Sequence, residues 1–504
     1  MGSDPIYRSY AEGKWGLTPF ISSFLAGAAA VAAFAPVGFL PALLFSFGWL
    51  IHLLSAAPPR RAFWAGFCFG LGLFGAGVSW VYVSLSQFGG MWPPLAALAT
   101  FLFCALLACF TGAATWLQAR IPAAPAARAC LLVPAAWALG EWLRSWVLTG
   151  FPWLSAGYAA TGWPLQGYAP LLGVFGVSFA IVSIAGMLWL LACRRRIAWL
   201  APVVVVLAVG LALRAVDWTR PAGAPLRVAL LQGNVEQEMK FRPERYARTL
   251  ATYARLADET NAKLIILPET ALPRFYDDID PAYLARLEAA ARRNDGDLLV
   301  GVPFRRDGEF YNSIASLGAS PRQVYHKTHL VPFGEFVPPL FGWVMRMVAI
   351  PLADFGRGAP GQPPFAVAGQ RVAASVCYED AFGDAVGAQA RDATLLANLS
   401  NVAWFGDSLA PSQHLQIARE RAIETGRVHL TVANTGVTAA IDRDGTVLMQ
   451  LPSFAEGRLE VVVQGYTGDT PYMRFADWPI LALSIALLGA AALLAARRAR
   501  AQSR

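Results

Sequence analysis

The sequence predicts a two-part fold class: a polytopic α-helical membrane domain of about eight transmembrane helices, and one α/β domain. Three observations predict it. Of 504 residues, 56 % are hydrophobic and only 15 % charged, less charge than a soluble chain of this length carries. Apolar stretches recur at about the 20 residues that a helix needs to cross hydrocarbon. Between the seventh and eighth stretch the chain turns polar and alternates strand-like with helix-like segments.

The apolar stretches are 17–35, 37–57, 62–83, 94–119, 129–147, 168–192, 197–213 and 479–496. Pro36 and Pro41 in "FAPVGFLP" mark the turn between the first two. The first lacks a small-residue cleavage site leading into a polar region, so it reads as a span rather than a signal peptide. Three domains follow: helices one to seven in 1–213, the polar block in 214–478, and the eighth helix with a basic tail in 479–504.

Charge sets the orientation. Arg8 and Lys14, Arg60 and Arg61, Arg120 and Arg128, Arg194 to Arg196, and Arg497, Arg498, Arg500 and Arg504 fall on alternate sides of the stretches. The intervening loops 36–41, 84–93 and 148–167 carry no Lys or Arg. By the positive-inside rule both termini are cytoplasmic and the polar block lies outside, periplasmic in a Gram-negative inner membrane. Much of the net charge of +8 is arginine beside spans, so it does not point to nucleic acid.

Within the polar block, "LRVALLQ" (226–232), "KLIILPE" (263–269) and "DLLVGVP" (297–303) read as strands, with helices at 243–260 and 281–294 between them. Later strand-like runs are "RQVYH", "RVAASVC", "ATLLANLS", "HLTVAN", "TAAIDRDGTVLMQ" and "GRLEVVV", with a helix at 409–427. Such alternation packs helices over a sheet, with reactive groups at the carboxyl ends of strands.

The block holds one cysteine, Cys377; the other five lie in or beside apolar stretches. It therefore has no disulfide partner within the block. Its residue type and position fit a buried core residue as well as a reactive thiol. Its companions favour the thiol. Glu269 ends "LIILPE" and Lys327 follows "RQVYH". A thiol attacks an acyl carbon as thiolate and needs a base, which a carboxylate in a dry pocket can be. A lysine ammonium can stabilise the oxyanion that forms.

"LPET" around Glu269, "YHKTHLVPFGEFVP" around Lys327 and "CYED" around Cys377 resemble the signatures of the nitrilase superfamily. With "NLSNVAWFGDSLAPSQHLQIARERAIETGR" (398–427) and the eight apolar stretches, the chain resembles its membrane-embedded branch, the apolipoprotein N-acyltransferases, over nearly its whole length. The resemblance implies an αββα sandwich and a Glu-Lys-Cys triad. Glu269 would be the general base, Lys327 the oxyanion stabiliser and Cys377 the nucleophile, with Glu335, Glu379 and Tyr378 as supporting residues. Cys377 would take a fatty acyl chain from the sn-1 position of a phospholipid, typically phosphatidylethanolamine, as a thioester. The α-amine of the N-terminal diacylglyceryl-cysteine of an apolipoprotein would then accept it. The partners implied are these two lipids and the bilayer, with a monomer, no cofactor and no metal expected.

Where the family commonly has Trp after the lysine of the first loop, this chain has Phe241, and Val402 stands where an acid often precedes "AWFG". Phe241, Trp343, Met347 and Trp404 are candidate substrate contacts. The apolar stretch 338–356, with Phe341 and Met345, reads as an arm that covers the thioester and excludes water. Trp92, Phe151, Trp153, Tyr158 and Trp163 populate the uncharged outer loops, as interfacial belts or as the lining of a lipid path. Glu141 and Arg144 share a helix face in the fifth stretch, as a mutual pair or a functional site. A tethered hydrolase would not need seven preceding spans. A transporter with a dead domain would carry more intramembrane charge and a degraded triad.

Overall fold

The computed structural model describes residues 17–235, 243–337 and 355–502. Contacts divide these into two compact units, one of 17–79, 97–216 and 475–502, the other of 80–96 and 217–474.

The first unit is helical. Its main helices are α1 (Thr18–Ala30), α2 (Leu40–Leu54), α3 (Pro59–Gly77), α4 (Pro93–Ala119, its start in the second unit), α5 (Val133–Trp146), α6 (Ala169–Arg194), α7 (Leu200–Arg214) and α12 (Trp478–Gln502). Each apolar stretch thus contains a helix. Among the described residues, however, four helices are long and apolar enough to cross a membrane unaided: Pro93–Ala119, Pro164–Arg194, Ile197–Arg214 and Trp478–Gln502. The bent pair Pro59–Gly77 and Trp80–Phe88 makes a fifth if counted as one. Eight full-length spans exceed that count. The turn through Pro36 separates α1 from α2, and α5 ends at Trp146, followed by a 3₁₀ turn in which Leu148 takes a positive φ of 55°.

Small residues let these helices touch. Gly27 of α1 lies against the Phe69 backbone of α3, and Gly72 of α3 against the Phe24 backbone of α1, each too close for a Cβ. Glu141 and Arg144 both secure the chain that follows their own helix. Glu141 Oε1 accepts from Trp137 Nε1 and Ala156 N, both at 2.8 Å. Arg144 donates to the carbonyls of Phe151 and Trp153 and to Ser155 Oγ. Trp153 and Tyr158 are buried in packing, whereas Trp92 and Trp163 are exposed.

The second unit holds two six-stranded sheets. The first runs β12-β1-β2-β3-β4-β5 and the second β11-β10-β9-β8-β7-β6. Their strands are β1 (Arg220–Gln232), β2 (Leu264–Ile266), β3 (Asp297–Arg306), β4 (Glu309–Gly318), β5 (Val324–His326), β6 (Phe365–Val367), β7 (Gln370–Val376), β8 (Leu395–Ser400), β9 (Val428–Ala433), β10 (Ala439–Ile441), β11 (Val447–Gln450) and β12 (Gly457–Thr467). β1, β2 and β3 are parallel, as are β7, β8 and β9.

The period-two pattern of the strands explains the layering. Val228 and Leu230 of β1, Leu264 and Ile266 of β2, Val372 and Ala374 of β7, and Leu395 and Leu399 of β8 form the core between the sheets. Their neighbours Ala229, Leu231 and Ile265 face helices α8 (Pro243–Asp258) and α9 (Pro281–Arg292) instead. Ala373 and Leu396 pack with Val386 and Ala390 of α10 (Gly383–Ala390), and α11 (Ala410–Thr425) covers β10 through Ala418 and Ala422. The order is helix, sheet, sheet, helix. The sequence pattern did not reveal two strands: β6, of three residues, and β4, whose apolar pattern is broken by the buried Asn312, Ser313 and Ser316.

Candidate active site

Three strand ends bring the site together. Glu269 lies just beyond β2, Lys327 directly follows β5, and Cys377 directly follows β7. β5 is antiparallel to β4, and β4 to β3, so β5 runs in the same direction as β2 and β3. All three residues therefore sit at carboxyl ends, where an open α/β arrangement collects its reactive groups.

The charged members are buried and joined. Lys327, 1 % exposed, donates to Glu335 Oε1 at 2.9 Å, with Oε2 at 2.8 Å. Glu269 Oε1 lies 3.7 Å from the same ammonium. Asn312 Nδ2 donates to both carboxylates, each at 2.7 Å, and so fixes the spacing of two like charges. The second oxygen of Glu269 accepts from Asn401 N at 2.7 Å, and that of Glu335 from Val331 N at 2.9 Å. Burial works against the charge on Lys327, but Glu335 and Glu269 outweigh it and push the ammonium's pKa up. It stays protonated.

Cys377 opens a short 3₁₀ turn, Cys377–Ala381, with a φ of 52°. A non-glycine residue in the left-handed region is strained, and such strain gathers at functional sites. Burial pushes its thiol up to about 12, the charge of Glu269 adds to this, Lys327 opposes it and Glu335 adds again. The thiol rests protonated at neutral pH and would have to give up its proton to attack an acyl carbon. Its neighbours are a carboxylate to take a proton and an ammonium to face an oxyanion. They suit acyl transfer without histidine.

Glu379 accepts from five donors. Oε1 takes Thr328 N and Oγ1 at 2.7 Å and His329 N at 3.0 Å, and Oε2 takes Val376 N at 2.7 Å. Tyr325 OH, 3.0 Å from each oxygen, is the fifth. Glu379 thus clamps the chain beside Lys327 to the end of β7. Burial pushes its carboxyl up, against Lys327 and these donors. Tyr378 is buried in an aromatic cluster, 5.1 Å edge-on from Phe382 and 5.8 Å from His329. Trp404 is half-buried with its ring 6.3 Å from Phe88, and Phe405 meets Trp80 at 4.6 Å. Phe241, Trp343 and Met347, and the proposed arm up to residue 354, lie outside the described residues.

The sequence reading missed Asn312, Asn398 and Tyr325. Asn398 Nδ2 donates to the carbonyl of Cys377 at 3.1 Å. The available signal was a polar residue inside an otherwise apolar strand, in "FYNSIA" and "LLANLS". Such a residue must have a buried partner.

Residues 26–187 match the family described as the apolipoprotein N-acyltransferase N-terminal domain, and residues 227–472 the carbon-nitrogen hydrolase family. An apolipoprotein N-acyltransferase of Nitrosomonas europaea is 45 % identical over 94 % of this chain and 97 % of its own length. One from Chromobacterium violaceum is 44 % identical over 99 % and 98 %. A CN-hydrolase superfamily protein of Xanthomonas campestris is similar in structure at a TM-score of 0.38 and 19 % identity, over 53 % of this chain and 97 % of that one.

Proposed function

From its membership of the apolipoprotein N-acyltransferase family, which makes the chain an acyltransferase of lipoprotein synthesis, we propose that Cys377 carries the acyl group as a thioester between a phospholipid and a diacylated apolipoprotein. The observation that carries this reading is the buried set of Glu269, Lys327 and Glu335, tied by Asn312 and acting on the thiol of Cys377.

In the first step the Cys377 thiol gives its proton to Glu269 as Sγ bonds to the sn-1 ester carbon. The ester oxygen gains negative charge opposite the Lys327 ammonium. Collapse breaks the bond to the glycerol oxygen, which takes the proton from Glu269 and leaves as lysophospholipid. In the second step the α-amine of the diacylglyceryl-cysteine bonds to the thioester carbon. Glu269 removes a proton from the nitrogen, the C–S bond breaks, and the proton returns to sulfur. Glu335 keeps Lys327 in place and charged.

Both substrates are lipids, each held in the membrane by about 0.8 kcal/mol per buried CH₂, so the catalytic unit works best beside the bilayer. The apolar helices would embed the chain in the inner membrane. Their flanking arginines favour cytoplasmic termini and a periplasmic catalytic domain over 214–478. Labelling of a single cysteine at position 500 by impermeant reagent in intact spheroplasts would reverse that orientation.

Mass spectrometry of the protein purified from native membranes tests the chemistry. A fatty acyl adduct on the peptide bearing Cys377 is expected. Full transfer activity with no acyl group ever found on Cys377 would refute the thioester.

A further inference from the structure

Two buried histidines stand behind the nucleophile, and the acyl-transfer steps use neither. The strained backbone of Cys377 has to be held, and its carbonyl oxygen is the handle. Asn398 of β8 donates to that oxygen at 3.1 Å, and His414 Nε2 of α11 lies 3.2 Å from it. A carbonyl has no proton to offer, so His414 carries its hydrogen on Nε2 and donates. His414 is 5 % exposed. Burial holds its imidazole below the ordinary range, in its neutral form, against the pull of Asp380 and of the Cys377 carbonyl.

The far end of the same turn is anchored as well. Asp380, fully buried, accepts from His429 Nε2 on β9 at 3.0 Å. The helix that carries His414 is fastened in its turn. Gln413, the preceding residue, accepts from Trp80 Nε1 at 3.2 Å. A helix side chain fixed in this way can hold a backbone atom within a narrow range, and a misplacement of about 1 Å at a reacting centre can cost on the order of a hundredfold in rate.

We propose that His414 is a positioning residue for the nucleophile: its Nε2–H, delivered by α11, holds the carbonyl of Cys377 and keeps the left-handed turn that sets Sγ against Glu269 and Lys327. This rests on the reading of Cys377 as the acyl-accepting thiol. Without the donor only Asn398 remains on the carbonyl among the described residues, and the turn is free to relax toward an extended φ.

The test compares three variants of the full-length enzyme in detergent, given phospholipid labelled in its sn-1 chain. His414→Leu removes the donor. His414→Gln places an amide nitrogen near the position of Nε2. His414→Asn places one near Nδ1, too short to reach. The rate of acyl loading on Cys377 is followed by mass spectrometry, with thermal unfolding and the KM for phospholipid alongside. His414→Leu and His414→Asn should load roughly 10- to 100-fold more slowly at unchanged KM. His414→Gln should recover to within about threefold of wild type. If His414→Leu fails to fold, the Gln and Asn pair alone carries the comparison. Equal loading by Gln and Asn, or wild-type loading by Leu, overturns the proposal. If the wild type forms product but never carries label on Cys377, both this proposal and the thioester reading fail. A labelled wild type with indifferent variants sinks the positioning role alone.

Discussion

The two sheets contribute different things to the site around Cys377. The first brings charge: Glu269 beyond β2, Lys327 beyond β5, and Asn312 of β4 bonded to both carboxylates. The second brings the thiol at a strained turn and neutral donors, Asn398 and the Asn401 backbone. Glu379, although it follows Cys377, gives its carboxylate mainly to backbone and hydroxyl groups of the first sheet's Tyr325–His329 segment. On the proposed mechanism, the difference teaches that proton and oxyanion chemistry are kept apart from the geometry of the nucleophile. Loss on the charged side leaves a buried ion uncompensated, which is severe. Loss on the geometric side, the sulfur excepted, should be graded.

The largest effect breaks the comparison outright. Cys377→Ala should show no acyl loading and no transfer. Cys377→Ser should do nearly as badly, because a hydroxyl is far harder to deprotonate than a thiol. Next comes the charged side. Lys327→Arg keeps the charge but puts a planar fork where a point charge faces one oxyanion, so loading should fall about 100-fold or more. Loading of Lys327→Arg within a few fold of wild type would remove the ammonium from the mechanism.

Glu379→Gln sharpens the division, because it alters the clamp and leaves the triad intact. One carboxylate oxygen becomes an amide N–H facing the Val376 N–H. Two buried donors then oppose each other, at about 1–3 kcal/mol. The melting temperature should drop and loading slow about tenfold; an unchanged melting temperature would show that the clamp does not bind the two sheets.

A titration shift is expected from the same electrostatics. The Cys377 thiol is pushed up to about 12, with Glu269 raising it and Lys327 lowering it. Removing the negative charge in Glu269→Gln should therefore move the pH profile of alkylation by a small neutral haloacetamide downward. Removing the positive charge in Lys327→Met should move it upward. Shifts of the opposite sign would mean that these groups do not act on the sulfur. The smallest effect belongs to Trp404→Leu, which loses the ring contact with Phe88, a pair worth about 0.5–1.5 kcal/mol. A modest rise in KM for phospholipid at constant kcat is expected, and a fall in kcat alone would place Trp404 nearer the chemistry.

The layering of the catalytic unit was legible because short apolar runs such as "LRVALLQ" and "RVAASV" alternate with helix-like segments, and successive apolar residues of each strand face the inter-sheet core and a helix-covered core in turn. Glu269, Lys327 and Cys377 were legible because each ends a strand-like run. β4 was not, since Asn312 serves the carboxylates and so interrupts the apolar pattern that reveals a strand. His414 was not legible either. Its partner is a backbone carbonyl distant in sequence, which no side-chain pattern announces. Apolar composition marks each helix, but turns such as the one through Pro36 set where it stops, so the number of helices long enough to span was not legible.

The division between the two sheets is tested most directly by single-turnover loading of Glu269→Gln beside the wild type, with phospholipid labelled in its sn-1 chain. The shape of the site is kept and the proton acceptor is lost. The wild type should gain label on Cys377, whereas Glu269→Gln should bind phospholipid with unchanged affinity and load at least about a thousandfold more slowly. Loading of Glu269→Gln at the wild-type rate would contradict the assignment and move the base to another carboxylate, Glu335 being the next candidate.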